Sequence, residues 1–147
     1  MADRADVSAD DQLDRDVCQL VHRFTQGLDG HVRLVADRLG LTPTQVVALR
    51  ELTDPITARE LAGRMSCEPS NVTFVLDRLE QQGLVRRRPH PTDRRAKQIV
   101  LTADGRARRN EVLRHLRTRS PLEPLTADQR RSLRELLEAI VAPRTSG

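Results

Sequence analysis

Between Arg86 and Lys97 the chain carries six basic side chains (Arg86, Arg87, Arg88, Arg94, Arg95 and Lys97) against one acid, Asp93. Cations at this density repel one another and resist burial, so they suit a polyanion, phosphates above all. Pro89 and Pro91 interrupt the run, which fits a loop and not a central strand. Around it the hydrophobic period approaches two, with Ile99 and Leu101 able to point inward. The stretch reads as a charged hairpin, the wing of a DNA-binding winged helix. Immediately upstream, E-P-S-N-V-T-F-V-L-D-R-L-E-Q-Q-G-L-V places Ser70, Asn71 and Thr73 at the start of a helix. Short polar side chains in that position can enter a major groove, and Asn71 can read adenine through two hydrogen bonds. Ser70 and Asn71 also fit ordinary helix-start chemistry.

The elements that must position these groups announce themselves by local chemistry. Three threonines open helices with a capping box, in which the residue three positions on reaches back: Thr42 with Gln45, Thr57 with Glu60, and Thr126 with Gln129. Pro43 adds the proline favoured in a first turn. Leu61 and Met65 form the core face of the second of these helices. Val72, Val75, Leu76 and Leu79 do so in the helix beginning near Pro69, which Gly83 ends. Upstream, Leu13, Val17, Leu20, Val21, Phe24 and Leu28 form one helical stripe, weakened by Gly27 and Gly30 and continued by Val32, Val35 and Leu39. Thr102 caps a helix with the sparse apolar face Val112, Leu113 and Leu116. A last helix carries Leu133, Leu136, Leu137, Ile140 and Val141.

Composition narrows the classes. Of 147 residues, 37% are hydrophobic, and aromatics are limited to two Phe with no Tyr or Trp. The core must therefore be aliphatic, with no stacking platform for single strands, and its narrow faces suggest completion by a partner subunit. Net charge is +4. Residues 86–119 hold twelve Arg and Lys against three acids, so the rest of the chain carries −5. Six Asp fall within the first sixteen residues. A basic segment beside an acidic arm marks a nucleic-acid face. Cys18 and Cys67 show neither zinc nor disulfide spacing, and no signal peptide or membrane-length apolar stretch occurs, which points to a reducing cytoplasm. No nucleophile–base pair, metal spacing or phosphate loop argues for an enzyme, and no cofactor or metal is expected.

The segments L-T-P-T-Q-V-V-A-L, T-x-x-E-L-A, D-R-L-E-x-x-G-L-V and D-R-R-A-K-Q-I-V-L-T-A-D-G together resemble MarR-type transcriptional regulators over roughly residues 13–141. The resemblance implies a homodimer of winged helices that binds pseudo-palindromic promoter DNA, usually as a repressor. In many such proteins a small, often phenolic, effector enters a cleft and releases the DNA. It places the family's wing-tip arginine at Arg95, suited to a narrow minor groove, with Asp93 orienting an arginine. Arg86, Arg87, Arg88, Arg94 and Lys97 are then phosphate contacts. About four or five phosphates per protomer give a dimer a log–log salt slope of roughly −7 to −9.

Two positions depart from the family pattern. Glu68 stands where a Ser or Thr cap is common, and Phe74 where Arg is common; Phe74 can meet a thymine methyl or belong partly to the core. Arg78 can bind phosphate or pair internally, whereas Arg106, Arg108, Arg109, Arg114, Arg117 and Arg119 read as a solvated helix face. A ligand cleft is poorly marked: His22, Arg23 and His31 can meet an anionic or phenolic effector, but the histidines read better as surface residues. Cys18 falls where the peroxide-sensing branch keeps its reactive thiol. With no tyrosine to hydrogen-bond it, it reads as a buried inert thiol, and Cys67 as core.

The expected fold is mainly α with a small β-hairpin wing, a winged helix–turn–helix with terminal dimerisation helices. Its divisions are a disordered acidic arm (1–10), an N-terminal dimerisation region (11–40), a DNA-binding region (41–105), C-terminal dimerisation helices (106–142) and a tail (143–147). Leu13, Val17 and Val21 would meet Leu133, Leu137 and Ile140 in the dimer, whose partner is double-stranded DNA, with a small-molecule effector of unknown identity as a further candidate and no membrane. The alternatives are a winged-helix protein-interaction module without specific DNA binding, or a redox-sensing regulator acting through Cys18.

Overall fold

The computed structural model describes residues 3–143, with side chains from residue 8 onward. Residues 1–2 of the expected arm and 144–147 of the expected tail lie outside the described residues. Helix α1 (Asp3–Leu39) is followed by α2 (Pro43–Glu51), β1 (Ile56–Thr57), α3 (Ala58–Met65), α4 (Pro69–Gln81), β2 (Val85–Pro89), β3 (Lys97–Leu101), α5 (Ala103–Arg117) and α6 (Ala127–Val141). From Asp3 the acidic stretch is therefore helical, not a disordered arm. Gly27 and Gly30 do not break α1, which spans 37 residues, about 55 Å at 1.5 Å per residue.

All three capping boxes form, and the Thr102 hydroxyl accepts from the Gly105 N–H to open α5. At the end of α4, Gly83 adopts φ +75. There the Leu84 N–H reaches the Leu79 carbonyl at 2.9 Å and the Gly83 N–H that of Glu80 at 3.0 Å. This paired closure needs a residue free to adopt positive φ. The three-stranded antiparallel sheet has the order β1-β3-β2, so β2 is an edge strand. Pro89, expected in the loop, is its last residue and pairs with Lys97, a position where a missing N–H costs little. The two-residue β1, too short to show alternation, was not expected from the sequence; it pairs Ile56 with Ile99.

The core is aliphatic, as expected. Val35 and Ala36 of α1 meet Val46 and Leu49 of α2, Leu61 of α3, Val72, Leu76 and Leu79 of α4, Ile99 of β3 and Val112 of α5. It lies within the winged helix and the C-terminal turns of α1. Helix α6 buries no residue at all.

Candidate nucleic-acid interface

Helix α4 is held by its apolar face, with Val72, Val75, Leu76 and Leu79 buried. Its opposite side is left to solvent: Ser70, Asn71, Thr73, Phe74 and Arg78 are all exposed. The Thr73 hydroxyl donates to the Pro69 carbonyl at 3.1 Å, which leaves it an acceptor. Glu68 takes the N-cap position but makes no side-chain capping bond, so the first-turn N–H groups of α4 receive no side-chain cap. Phe74 is 64% exposed and lies under the Arg78 guanidinium, 5.8 Å from ring centroid to Cζ.

The basic side chains of the wing divide by strand register. Alternation along β2 sends Arg86 and Arg88 to one face and Arg87 to the other. Arg87 turns towards α4, donating to Asp77 at 2.8 Å and to Glu80 at 3.2 Å. Expected among the phosphate contacts, it stands half-buried between wing and helix, paired with both carboxylates. Arg88 donates to Gln98 at 3.1 Å. Arg86 and Arg88, with Arg106 of α5, border a shallow groove whose wall includes Asp54; Asp54 is itself paired with Arg64 at 2.8 Å. That pairing holds the Asp54 carboxyl below its ordinary range, through the Arg64 hydrogen bond first and the Thr53 hydroxyl second. Arg94, Arg95 and Lys97 stand exposed at the tip and its root, with no ion pair among the described residues.

Sequence reasoning missed what shapes that tip. The His90 Nδ1 accepts from the backbone N–H groups of Asp93 at 3.0 Å and Thr92 at 3.2 Å. The Asp93 carboxylate accepts from the Arg95 N–H at 2.9 Å. Asp93 thus orients the backbone of Arg95 and not a guanidinium. The Ala96 N–H reaches the Asp93 carbonyl at 3.3 Å, and the His90 N–H that of Ala96 at 3.2 Å. A His–Pro–x–Asp run at a charged hairpin tip was the available signal.

Two arginines expected on a solvated face of α5 are structural. Arg109 donates to the carbonyls of Leu49 at 2.9 Å and Arg50 at 3.1 Å, at the end of α2. Arg108 donates to the carbonyl of Leu39, the last residue of α1, and pairs with Glu111 at 3.0 Å. Cations at helix C-termini satisfy orphan carbonyls and the negative end of the dipole. His31 is half-buried; its Nε2 lies 2.8 Å from the Leu116 carbonyl, so that nitrogen carries the proton. It joins α1 to α5 and is not a free surface histidine.

Of the residues expected at a dimer contact, Leu13, Val17, Val21, Leu137 and Ile140 are exposed in the protomer and Leu133 is half-buried. Cys18, read as a buried thiol, is exposed among them, because none of the described residues covers this part of α1. Cys67 is half-buried, packed against the core on one side. On its other side it helps line an open cavity of about 590 Å³ between α1, α2 and α4. Asp29, Arg33, Thr44 and Asn71 add polar character, and Phe74 an aromatic ring, to its largely apolar wall. These residues come from separate elements, so no local pattern marked the cavity. Among the described residues no group of three His, Cys, Asp or Glu side chains could hold a metal ion.

The fold that carries this outward-facing α4 and wing is shared with known proteins. The model of the MarR family matches residues 41–97. The HTH-type transcriptional repressor Rv2887 of Mycobacterium tuberculosis is 33% identical over 125 residues, covering 82% of this chain and 90% of its own. The chain belongs to the MarR family. The HTH-type transcriptional repressor MdtR of Bacillus subtilis is also 33% identical, over 70% of this chain and 68% of its own. Among solved structures, a mutant E. coli MarR complexed with operator DNA superposes with TM-score 0.69 at 27% identity, covering 86% of this chain and 94% of that one. The fold of this MarR-family chain is thus a winged helix, mainly helical with a small antiparallel sheet. Its relatives are transcriptional regulators and not enzymes. No described helix is long and apolar enough to cross a membrane.

Proposed function

We propose that the chain is a cytoplasmic transcriptional repressor that binds a pseudo-palindromic promoter site as a homodimer. The observation that carries this reading is the outward face of α4, tied by Arg87 to a wing whose tip presents Arg94, Arg95 and Lys97. In the proposed complex Ser70, Asn71, Thr73, Phe74 and Arg78 enter the major groove. Arg95 enters the adjacent minor groove, and Arg94 and Lys97 meet phosphates. Arg86 and Arg88, on the other face of β2, reach only flanking phosphates, and Arg87 serves as a positioning residue.

Homodimerisation is supported by the uncovered apolar stripes. Leu13, Val17 and Val21 of α1 and Leu137 and Ile140 of α6 stand exposed in the protomer, with Leu133 half-buried beside them, an apolar surface that a lone chain seldom leaves open. It is also mechanically required, because two recognition helices must reach half-sites about 34 Å apart. The E. coli relative in complex with operator DNA supports the partner. The cavity beside Asn71 and Phe74 is where a small-molecule effector would act, since its occupant would touch side chains that face the groove.

The test is binding of the purified protein to its own upstream DNA and to scrambled DNA of equal length, at two salt concentrations, with Arg95→Ala alongside. The expected outcome is a preference of about a thousandfold for a specific site, weakened by Arg95→Ala. No preferred site, either upstream or in a genomic fragment selection, refutes the proposal.

A further inference from the structure

We propose that Phe74 and Arg78 form one reading unit on α4 that recognises a thymine next to a guanine in the major groove of each half-site. The inference rests on the DNA-binding reading above and names what that surface reads. Phe74 is one of two aromatic residues in the chain, yet 64% of it is left to solvent. On a helix that turns about 100° per residue, Ser70, Phe74 and Arg78 lie away from the buried Val72, Leu76 and Leu79. The ring therefore stands where a base edge would be met, and the core gains little from it.

Arg78 gives this ring a partner. Its guanidinium lies over the ring at 5.8 Å, within the range of a cation–π contact. No carboxylate among the described residues claims it. The adjacent Asp77 is engaged by Arg87 at 2.8 Å. A guanidinium that rests on a ring keeps its in-plane N–H donors free, and those match the O6 and N7 acceptors of guanine. The exposed part of the ring offers apolar surface to the thymine 5-methyl, an apolar group on the major-groove edge. The two side chains are one helical turn apart, about 6 Å along the axis. Adjacent bases are about 3.4 Å apart, so a helix inclined in the groove can bring the pair to neighbouring base pairs.

Phe74 also lines the cavity; a ring serving only that cavity would be indifferent to a methyl group on DNA. The experiment starts from a duplex selected by the wild-type protein out of a random-sequence library. It is resynthesised with deoxyuridine for thymidine, which removes only methyl groups, and separately with 7-deazaguanine, which removes N7. Affinities are measured for the wild type, Phe74→Ala, Phe74→Leu and Arg78→Ala, with circular dichroism to verify the fold. One buried methyl corresponds to about fourfold in affinity, or about fifteenfold over two half-sites.

Wild type is expected to lose about that factor on the deoxyuridine duplex, Phe74→Leu to lose less, and Phe74→Ala to bind both duplexes nearly alike. Arg78→Ala is expected to lose the sensitivity to 7-deazaguanine that the wild type shows. A wild type that selects a duplex yet ignores the methyl, or a Phe74→Ala that keeps full methyl sensitivity, overturns the inference and leaves the repressor reading standing. A wild type that selects no duplex overturns both.

Discussion

Replacing Arg87 by Gln separates charge that meets DNA from charge that shapes the protein. The Arg87 guanidinium bridges Asp77 at 2.8 Å and Glu80 at 3.2 Å, with 22% of its side chain exposed and the carboxylates 55% and 44% exposed. Pairs this open to solvent are each worth about 0.2–1 kcal/mol, so the two together hold the wing against α4 by about 1 kcal/mol. If that tether orients the wing for DNA, its loss lowers affinity about fivefold per protomer, or about thirtyfold for a dimer. The salt dependence, however, counts phosphate contacts and not tethers. An arginine that neutralises a phosphate contributes about 0.9 to the log–log slope, so its removal from both protomers of a dimer shifts the slope by about 1.8. Arg87→Gln is therefore expected to weaken binding with the slope nearly unchanged, whereas Arg94→Gln shifts it by about 1.8. Fluorescence anisotropy titrations across a salt series measure both. Asp77→Asn closes the cycle: combined with Arg87→Gln, it should cost less than the sum of the single changes, because each change removes the same contact. A slope reduced by about 1.8 in Arg87→Gln would refute this reasoning and mean that Arg87 leaves Asp77 for a phosphate when DNA binds.

Gly105→Ala places a methyl 1.8 Å from the Leu84 carbonyl oxygen, a backbone atom that cannot swing aside; a loss of about 1–3 kcal/mol or more is expected in chemical denaturation. His90→Ala removes the acceptor for the Thr92 and Asp93 N–H groups and should loosen the wing tip and weaken DNA binding, while His90→Asn, whose Oδ1 can accept in place of Nδ1, should retain more of both; equal losses in the two variants would count against the tip geometry. Asp54 is held below 3.8 mainly by the Arg64 hydrogen bond. Its stabilising effect is therefore present above that value and is lost as the pH falls through the depressed one. The stability difference between wild type and Asp54→Asn should accordingly be seen at neutral pH and vanish in strong acid.

Local chemistry was legible in the sequence, and partners were not. A capping box needs only four consecutive residues, so Thr42, Thr57 and Thr126 each announced a helix that forms. The apolar spacing of Val72, Val75, Leu76 and Leu79 likewise fixed the buried face of α4, and with it the outward one. Arginine is harder to read, because its charge is visible in sequence and its partner is not. Arg87 meets Asp77 ten positions away, Arg109 meets Leu49 sixty away and Arg108 meets Leu39 sixty-nine away. Each contact is made by tertiary packing that no local window contains. The exposed Cys18 shows the opposite error. Its neighbours Val17 and Leu20 gave an apolar context, but that stripe is uncovered in the protomer.

The distribution of cover along α1 links these observations. Its C-terminal turns are built into the winged helix through Val35 and Ala36, the His31 contact to the Leu116 carbonyl and the Arg108 contact to the Leu39 carbonyl. Its N-terminal two-thirds leave Leu13, Val17, Leu20 and Val21 in solvent. A continuous helix transmits a change of tilt along its length, so whatever covers the free end of α1 also sets the angle of the domain fixed at the other end. In the proposed homodimer that angle decides whether two α4 helices fall on half-sites one turn of DNA apart. The cavity lies at the junction, with Asp29, Val32 and Arg33 of α1 on one wall and Asn71, Phe74 and Val75 of α4 on another. A molecule bound there would shift the DNA equilibrium only as far as it binds one separation of those walls better than the other. It could do so by altering the angle between α1 and α4 at this hinge-like junction, or by taking Phe74 out of the groove. Phe74→Ala distinguishes the two routes, because release through the hinge survives the substitution and release through the ring does not.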